Sequence, residues 1–164
     1  MLNFKRIWRD LFGRRGRVRG FERVRDARVT AKLPSRGTRT SAAYDLISPE
    51  SVLINPGSSH FLKTDIKAYM PPEEALLVFM RSSMGKKGLE LMNKVAVIDS
   101  DFYSNSTNDG NITLMLHNCG TAPIQISAGD KLAQGMFVAY ALADGDSFDS
   151  HVVRRNGGIG STGA

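Results

Sequence analysis

The sequence predicts an all-β domain, an antiparallel sandwich, jelly roll or barrel, preceded by a short N-terminal helical extension. Three observations lead there. From about Phe21 the apolar residues fall in short runs that alternate with polar ones, the period of strands half-buried in a sheet. Turn residues punctuate those runs closely, as Asn55-Pro56-Gly57, Pro71-Pro72, Asp109-Gly110, Cys119-Gly120-Thr121-Ala122 and Ala128-Gly129-Asp130. No helix–strand alternation and no internal repeat accompanies them, which excludes a parallel, doubly wound sheet.

In chain order, Phe4, Ile7, Trp8, Leu11 and Phe12 recur at helical spacing around Lys5, Arg6 and Arg9. This spacing predicts a basic amphipathic helix ending near Gly13. Residues 14–20 carry four arginines among two glycines and a valine, too polar to bury a core, and read as a mobile linker. Strands are expected at 51–54, 61–68, 75–80, 91–98, 111–117, 123–127 and 132–141, with one internal helix near 83–87. A β domain over 21–143 follows, with 1–20 as a basic extension. From Asp144 the composition turns to glycine, serine and arginine, a C-terminal arm over 144–164 that builds no core but offers amides, hydroxyls and guanidinia to a polyphosphate.

Length and charge narrow the function. At 164 residues the chain is one domain. The net charge of +6 is unevenly placed: residues 1–28 carry +7 and the rest −1. The balanced body makes a poor nucleic-acid platform, and salt-sensitive DNA binding is left to the extension. A lone cysteine, Cys119, excludes a disulfide scaffold and suits a reducing cytoplasm. No apolar run reaches the roughly 20 residues of a membrane span. His60, His117 and His151 lack zinc-ligand spacing with Cys119.

Four further segments carry chemistry. Arg81-Ser82-Ser83-Met84-Gly85 follows an apolar strand and opens the helix, a place for an anion. Residues 93–102 run from Asn93 through an apolar strand into Asp99, Asp101 and Phe102, leaving a carboxylate at a strand end as candidate base or metal ligand. Gln134 is the polar residue within the strand that leaves Gly129-Asp130-Lys131, and Asp45 interrupts the apolar run 42–46.

Together with the Gly157–Gly163 tail, these segments resemble, in order and spacing, the five motifs of the trimeric dUTPase family (deoxyuridine triphosphate nucleotidohydrolases). The resemblance covers about residues 21–164. It implies a jelly-roll or distorted β-barrel subunit in a homotrimer with sites between subunits. It also implies Mg²⁺-assisted hydrolysis of dUTP to dUMP and pyrophosphate by water attack on the α-phosphorus. By the same resemblance Asp99 is the catalytic acid–base residue holding the water. Arg81, Ser82 and Gln134 bind phosphates, Ser83 is a further substrate-binding residue, Asp45 supports the metal's water shell, Asn93 reads the uracil edge and Phe102 lies under the deoxyribose. Arg154, Gly158, Ile159, Ser161 and Thr162 close over the substrate from a neighbouring subunit.

The chain departs from the family pattern at Met80, Ala43 and Ala96, at Phe102 for a tyrosine, and at Ile159 for the tail's phenylalanine. It also inserts a polar stretch, 103–109, before Gly110. Two alternatives stand beside hydrolysis. A dCTP deaminase needs a glutamate where this chain has Met115, which moves no proton. A regulatory, repressor-binding protein of the same fold would offer helix 1–12 or the 103–109 insert to its partner.

Overall fold

The structure is a computed structural model that describes residues 17–146. The expected helix within 1–12 lies outside the described residues. So does the arm from 147, with Arg154, Gly158, Ile159, Ser161 and Thr162.

Twelve strands form among the described residues: β1 (Gly20–Arg23), β2 (Ser35–Arg36), β3 (Tyr44–Ile47), β4 (Val52–Ile54), β5 (Ser59–Lys63), β6 (Ile66–Tyr69), β7 (Glu74–Met80), β8 (Leu89–Leu91), β9 (Val95–Asp99), β10 (Thr113–Asn118), β11 (Ile124–Ile126) and β12 (Lys131–Ala139). One short helix, α1 (Ser82–Gly85), and a 3-10 turn (Ser100–Phe102) complete the list. Among these residues no helix is long and apolar enough to cross a membrane. Every pairing is antiparallel: a five-stranded sheet in the order β2-β3-β12-β7-β9, a three-stranded sheet β5-β10-β8, and the ribbons β11-β4 and β1-β6.

Alternation explains the layers. In β10, Leu114, Leu116 and Asn118 are buried while Thr113, Met115 and His117 are only partly covered. Leu46, Leu62, Leu76, Val78, Leu132 and Ile126 join Leu114 and Leu116 in one core. Each such aliphatic side chain contributes about 1.5–3 kcal/mol on burial.

Two expected strands are each two strands in fact. The run 61–68 breaks at Thr64–Asp65, where Asp65 adopts φ 61°. There the Thr64 hydroxyl donates to the Ile112 carbonyl at 2.8 Å, and Asp65 accepts from the Arg28 amide and guanidinium. The chain thereby leaves the three-stranded sheet for the β1-β6 ribbon. The run 91–98 breaks at Asn93–Lys94, with Lys94 at φ 58°, so that β8 pairs with β10 and β9 with β7. Hydrophobic pattern alone cannot register such a break, because both halves keep their apolar residues. The basic linker is tied down at its end: Arg17 pairs with Glu22 at 2.7 Å, and Arg19 grips Glu74 with two nitrogens at 2.6 and 2.5 Å. For residues 17–20, the expectation of a mobile linker overlooks these carboxylate partners, which lie on β1 itself and on β7.

Candidate active site

Register places the polar residues of the five-stranded sheet. Asp45 on β3 stands opposite Gln134 on β12, which stands opposite Phe79 on β7. Cross-strand partners share a face, so Asp45 and Gln134 lie together. Arg81, two residues beyond Phe79, follows on the same face, its amide extending the ladder to the Leu132 carbonyl at 3.0 Å. Its side chain crosses β12, and its Nε sits 3.0 Å from Asp45 Oδ1.

Lys131 joins this group through a bulge. The register of β12 shifts between Lys131 and Ala133, so Lys131 lies opposite Ile47 instead of Ser48. One extra residue moves a side chain to the other face of a strand. Lys131 thus shares the face of Asp45, its Nζ 2.9 Å from Oδ2. The buried Asp45 carboxylate therefore has a cation on each oxygen. Sequence reading passed over Lys131 as part of a turn; a bulge leaves no mark in hydrophobic alternation.

α1 opens directly after Arg81, with Ser82 and Ser83 exposed and Met84 buried as its anchor. Gly88, at φ 86°, closes the following turn against Gly120, whose nitrogen would lie 2.7 Å from a Cβ at this position.

The third segment lies elsewhere on the same sheet. β9 is its edge strand, and Asp99 stands opposite Ala75. Asp99 is therefore four residues along and three strands across from Asp45. At about 3.3 Å per residue and about 4.8 Å per strand, the two backbones are roughly 19 Å apart. Val95 and Val97 share the Asp99 face, Val97 at 57% exposure, leaving an apolar stripe along the edge. Asn93 lies in the exposed turn ahead of β9, at the Arg81 end of the sheet. Phe102 is buried, at 8% exposure. Of the expected site residues within 17–146, one chain thus gathers Asp45, Arg81, Ser82, Ser83 and Gln134 at one place, and Asp99 and Phe102 at another.

A family model described as dUTPase matches residues 30–163. The chain belongs to the dUTPase family. It is 39% identical over 150 residues to the deoxyuridine 5'-triphosphate nucleotidohydrolase of Lactococcus lactis, covering 90% of this chain and 99% of the relative. The vaccinia virus enzyme of the same name is 35% identical over 136 residues, covering 81% and 86%. Among solved structures, the dUTPase of Streptococcus mutans superposes with a TM-score of 0.72 at 39% identity, over 77% of this chain and 99% of that one. The dUTPase from phage phi11 of S. aureus shares the fold at 21% identity, with a TM-score of 0.67 over 83% and 99%. The family-model match contains every strand from β2 to β12.

Proposed function

We propose that the protein hydrolyses dUTP to dUMP and pyrophosphate by attack of water on the α-phosphorus, in sites built between the subunits of a homotrimer. The observation that carries this reading is the split on the five-stranded sheet. A cation cluster around Asp45 suits a triphosphate, and a carboxylate suited to holding water lies roughly 19 Å away on the same face. One chain cannot aim both at a single triphosphate. A head-to-tail ring, in which one chain's Asp45 end meets its neighbour's β9 edge, can. The apolar Val95–Val97 stripe gives that contact something to bury.

In this arrangement Arg81 and Lys131 offer charge-assisted hydrogen bonds to the phosphates, and Ser82, Ser83 and Gln134 add neutral ones. Asp45 aligns the two cations. Asp99 of the neighbour orients the attacking water and takes its proton, which needs a heavy-atom approach of about 2.6–3.2 Å. A nucleoside lying along β9 has its base toward Asn93 and its sugar toward Phe102. The open backbone edge of β9 reads uracil over cytosine, and Phe102 opposes a 2'-hydroxyl. The arm 144–164 brings Arg154, Gly158, Ile159, Ser161 and Thr162 over the phosphates and excludes water from them.

Among the described residues no group of three or more His, Cys, Asp or Glu could hold a metal. Both Asp45 oxygens also face cations. This donor set fits Mg²⁺ carried by the triphosphate, which keeps most of its waters and meets Asp45 through one of them. Bound there, Mg²⁺ would neutralise charge on the phosphates and make phosphorus more electrophilic.

The test is pyrophosphate release from dUTP, dCTP, dTTP and UTP with Mg²⁺. Selective dUTP cleavage that falls by about 10²-fold or more in Asp99→Asn is expected. Equal turnover of UTP would contradict the role of Phe102.

A further inference from the structure

Between Phe102 and Gly110 this chain places seven residues, 103–109. We propose that this segment is a brace that fixes the Ser100–Phe102 turn, and with it the preference for deoxyribose, with Asn105 and Lys67 as its positioning residues. The inference rests on the site reading above.

Asn105 is buried, and its side chain is fully engaged. Nδ2 donates to the Phe102 carbonyl at 2.9 Å and to Asn108 Oδ1 at 2.7 Å, while Oδ1 accepts the amides of Thr107 and Asn108 at 3.0 and 3.1 Å. Gly110, having no side chain, lets the backbone pass close to the Phe102 carbonyl. At φ 78°, that residue would set a Cβ 2.8 Å from the same oxygen. The turn carrying Phe102 is thus held through its backbone.

Lys67 anchors the brace to β6. It is buried, and its ammonium has three donors for three acceptors: Ser104 Oγ, Asp109 Oδ1 and Asp109 Oδ2, each at 3.0 Å. The Tyr103 ring lies 5.1 Å beneath it, and the Tyr103 hydroxyl donates to Glu22 at 2.6 Å. Asp109 also accepts the Arg25 amide at 2.8 Å. Burial alone would push the Asp109 carboxyl up, but Lys67 and that amide outweigh it and hold it below the ordinary range. A buried cation left without its partner is costly, so any slide of the segment is opposed by Lys67. Ser104 and Asp109, at φ 54° and 58°, are kept in left-handed backbone that such a network must sustain.

The experiment compares full-length wild type, Asn105→Ala, Lys67→Met and Lys67→Arg by kcat and KM for dUTP and UTP, and by amide exchange of peptides covering 99–110. A shift of about 1 Å at reacting groups can change rates on the order of 10²-fold. The kcat/KM ratio of dUTP to UTP is expected to fall by about tenfold or more in Asn105→Ala and Lys67→Met, chiefly through kcat for dUTP. Exchange at 100–102 should quicken in step, and Lys67→Arg should retain most of the ratio. Folded variants with an unchanged ratio, or faster exchange confined to 103–110, overturn the brace. If Lys67→Met does not fold, Tyr103→Phe, which removes the hydroxyl that donates to Glu22, is read the same way: a smaller fall supports the brace and none overturns it. Wild type that fails to cleave dUTP overturns the functional reading instead, and exchange at 100–102 then decides the brace alone.

Discussion

A ring in which the Asp45 cluster of one chain faces Asp99 of the next makes a quantitative statement about mixed oligomers. Asp99→Asn removes the carboxylate proposed to hold the water, and Arg81→Ala removes a cation that Asp45 holds at 3.0 Å. Each alone damages every site of its own trimer. When the two variants carry different tags and are co-expressed, two successive affinity steps isolate trimers containing both. In such a ring, whichever variant is in the majority, one of the three junctions joins an intact Arg81 to an intact Asp99. The expected turnover is therefore about one third of wild type per trimer. The reasoning depends on the roughly 19 Å between the Asp45 and Asp99 backbones in one chain, from four residues of rise and three strand spacings. It also depends on Arg81 leaning over β12 toward β3, away from β9. If a single chain supplied both sets, every junction of a mixed ring would lack one of them. Activity would then stay at the level of the parents, about 10²-fold or more below wild type. A mixed trimer no more active than the parents refutes the split site.

Three other perturbations follow from the geometry. Lys131→Gln removes a cation at 44% exposure, worth roughly 1 kcal/mol, and should raise KM for dUTP about fivefold with a smaller change in kcat; an unchanged KM removes Lys131 from the site. Gly88→Ala forces a side chain into left-handed backbone 2.7 Å from the Gly120 nitrogen and should destabilise by about 1–3 kcal/mol, seen as a lower melting temperature; an unchanged melt refutes the tight approach. Burial would raise the Asp65 and Glu50 carboxyls, yet bonds from Arg28 and Asn111 to the first, and from His60 and Arg28 to the second, hold both below their usual values. Stability from these groups is present above the unfolded range near pH 4 and is lost as pH falls through the folded values. The gap in urea midpoint between wild type and Arg28→Met should therefore narrow from about pH 7 to about pH 3, and a constant gap refutes it.

What the sequence makes legible here is chemistry in short windows. Alternation marks β7, β10 and β12 because each has one buried face, and the five motifs single out Asp45, Arg81, Asp99 and Gln134 by residue type and order. Where the chain changes sheets, at Asp65 and Lys94, local pattern is silent, since the apolar residues on both sides stay apolar. β1, β2 and β3 escape for a related reason: they are short, half-exposed or interrupted by Asp45, and pairing across the sheet makes them strands. Lys131 is lost to a one-residue bulge. The distance between Asp99 and the cation cluster is a property of register, which no single segment contains.

Asp45 shows how register also redefines a role. A carboxylate near a triphosphate is naturally read as a metal ligand, and a water-mediated contact with Mg²⁺ remains compatible with its spare lone pairs. Its nearest groups, however, are Arg81 and Lys131, at 3.0 and 2.9 Å. Asp45→Asn would leave both cations without their counter-charge. The simple Coulomb effect of one added positive charge favours the triphosphate, so KM would fall if that effect dominated. Against it, Arg81 and Lys131 are partly exposed, and without the carboxylate both long side chains are free to swing into water. Ordering each again on binding costs about 0.5–1.5 kcal/mol, more than a solvent-screened charge at that exposure returns. KM for dUTP should therefore rise in Asp45→Asn, and the Mg²⁺ concentration giving half-maximal rate should stay where it is. If raising Mg²⁺ restores the variant to wild-type rates, Asp45 acts through the metal's waters, and its alignment of the cations is secondary.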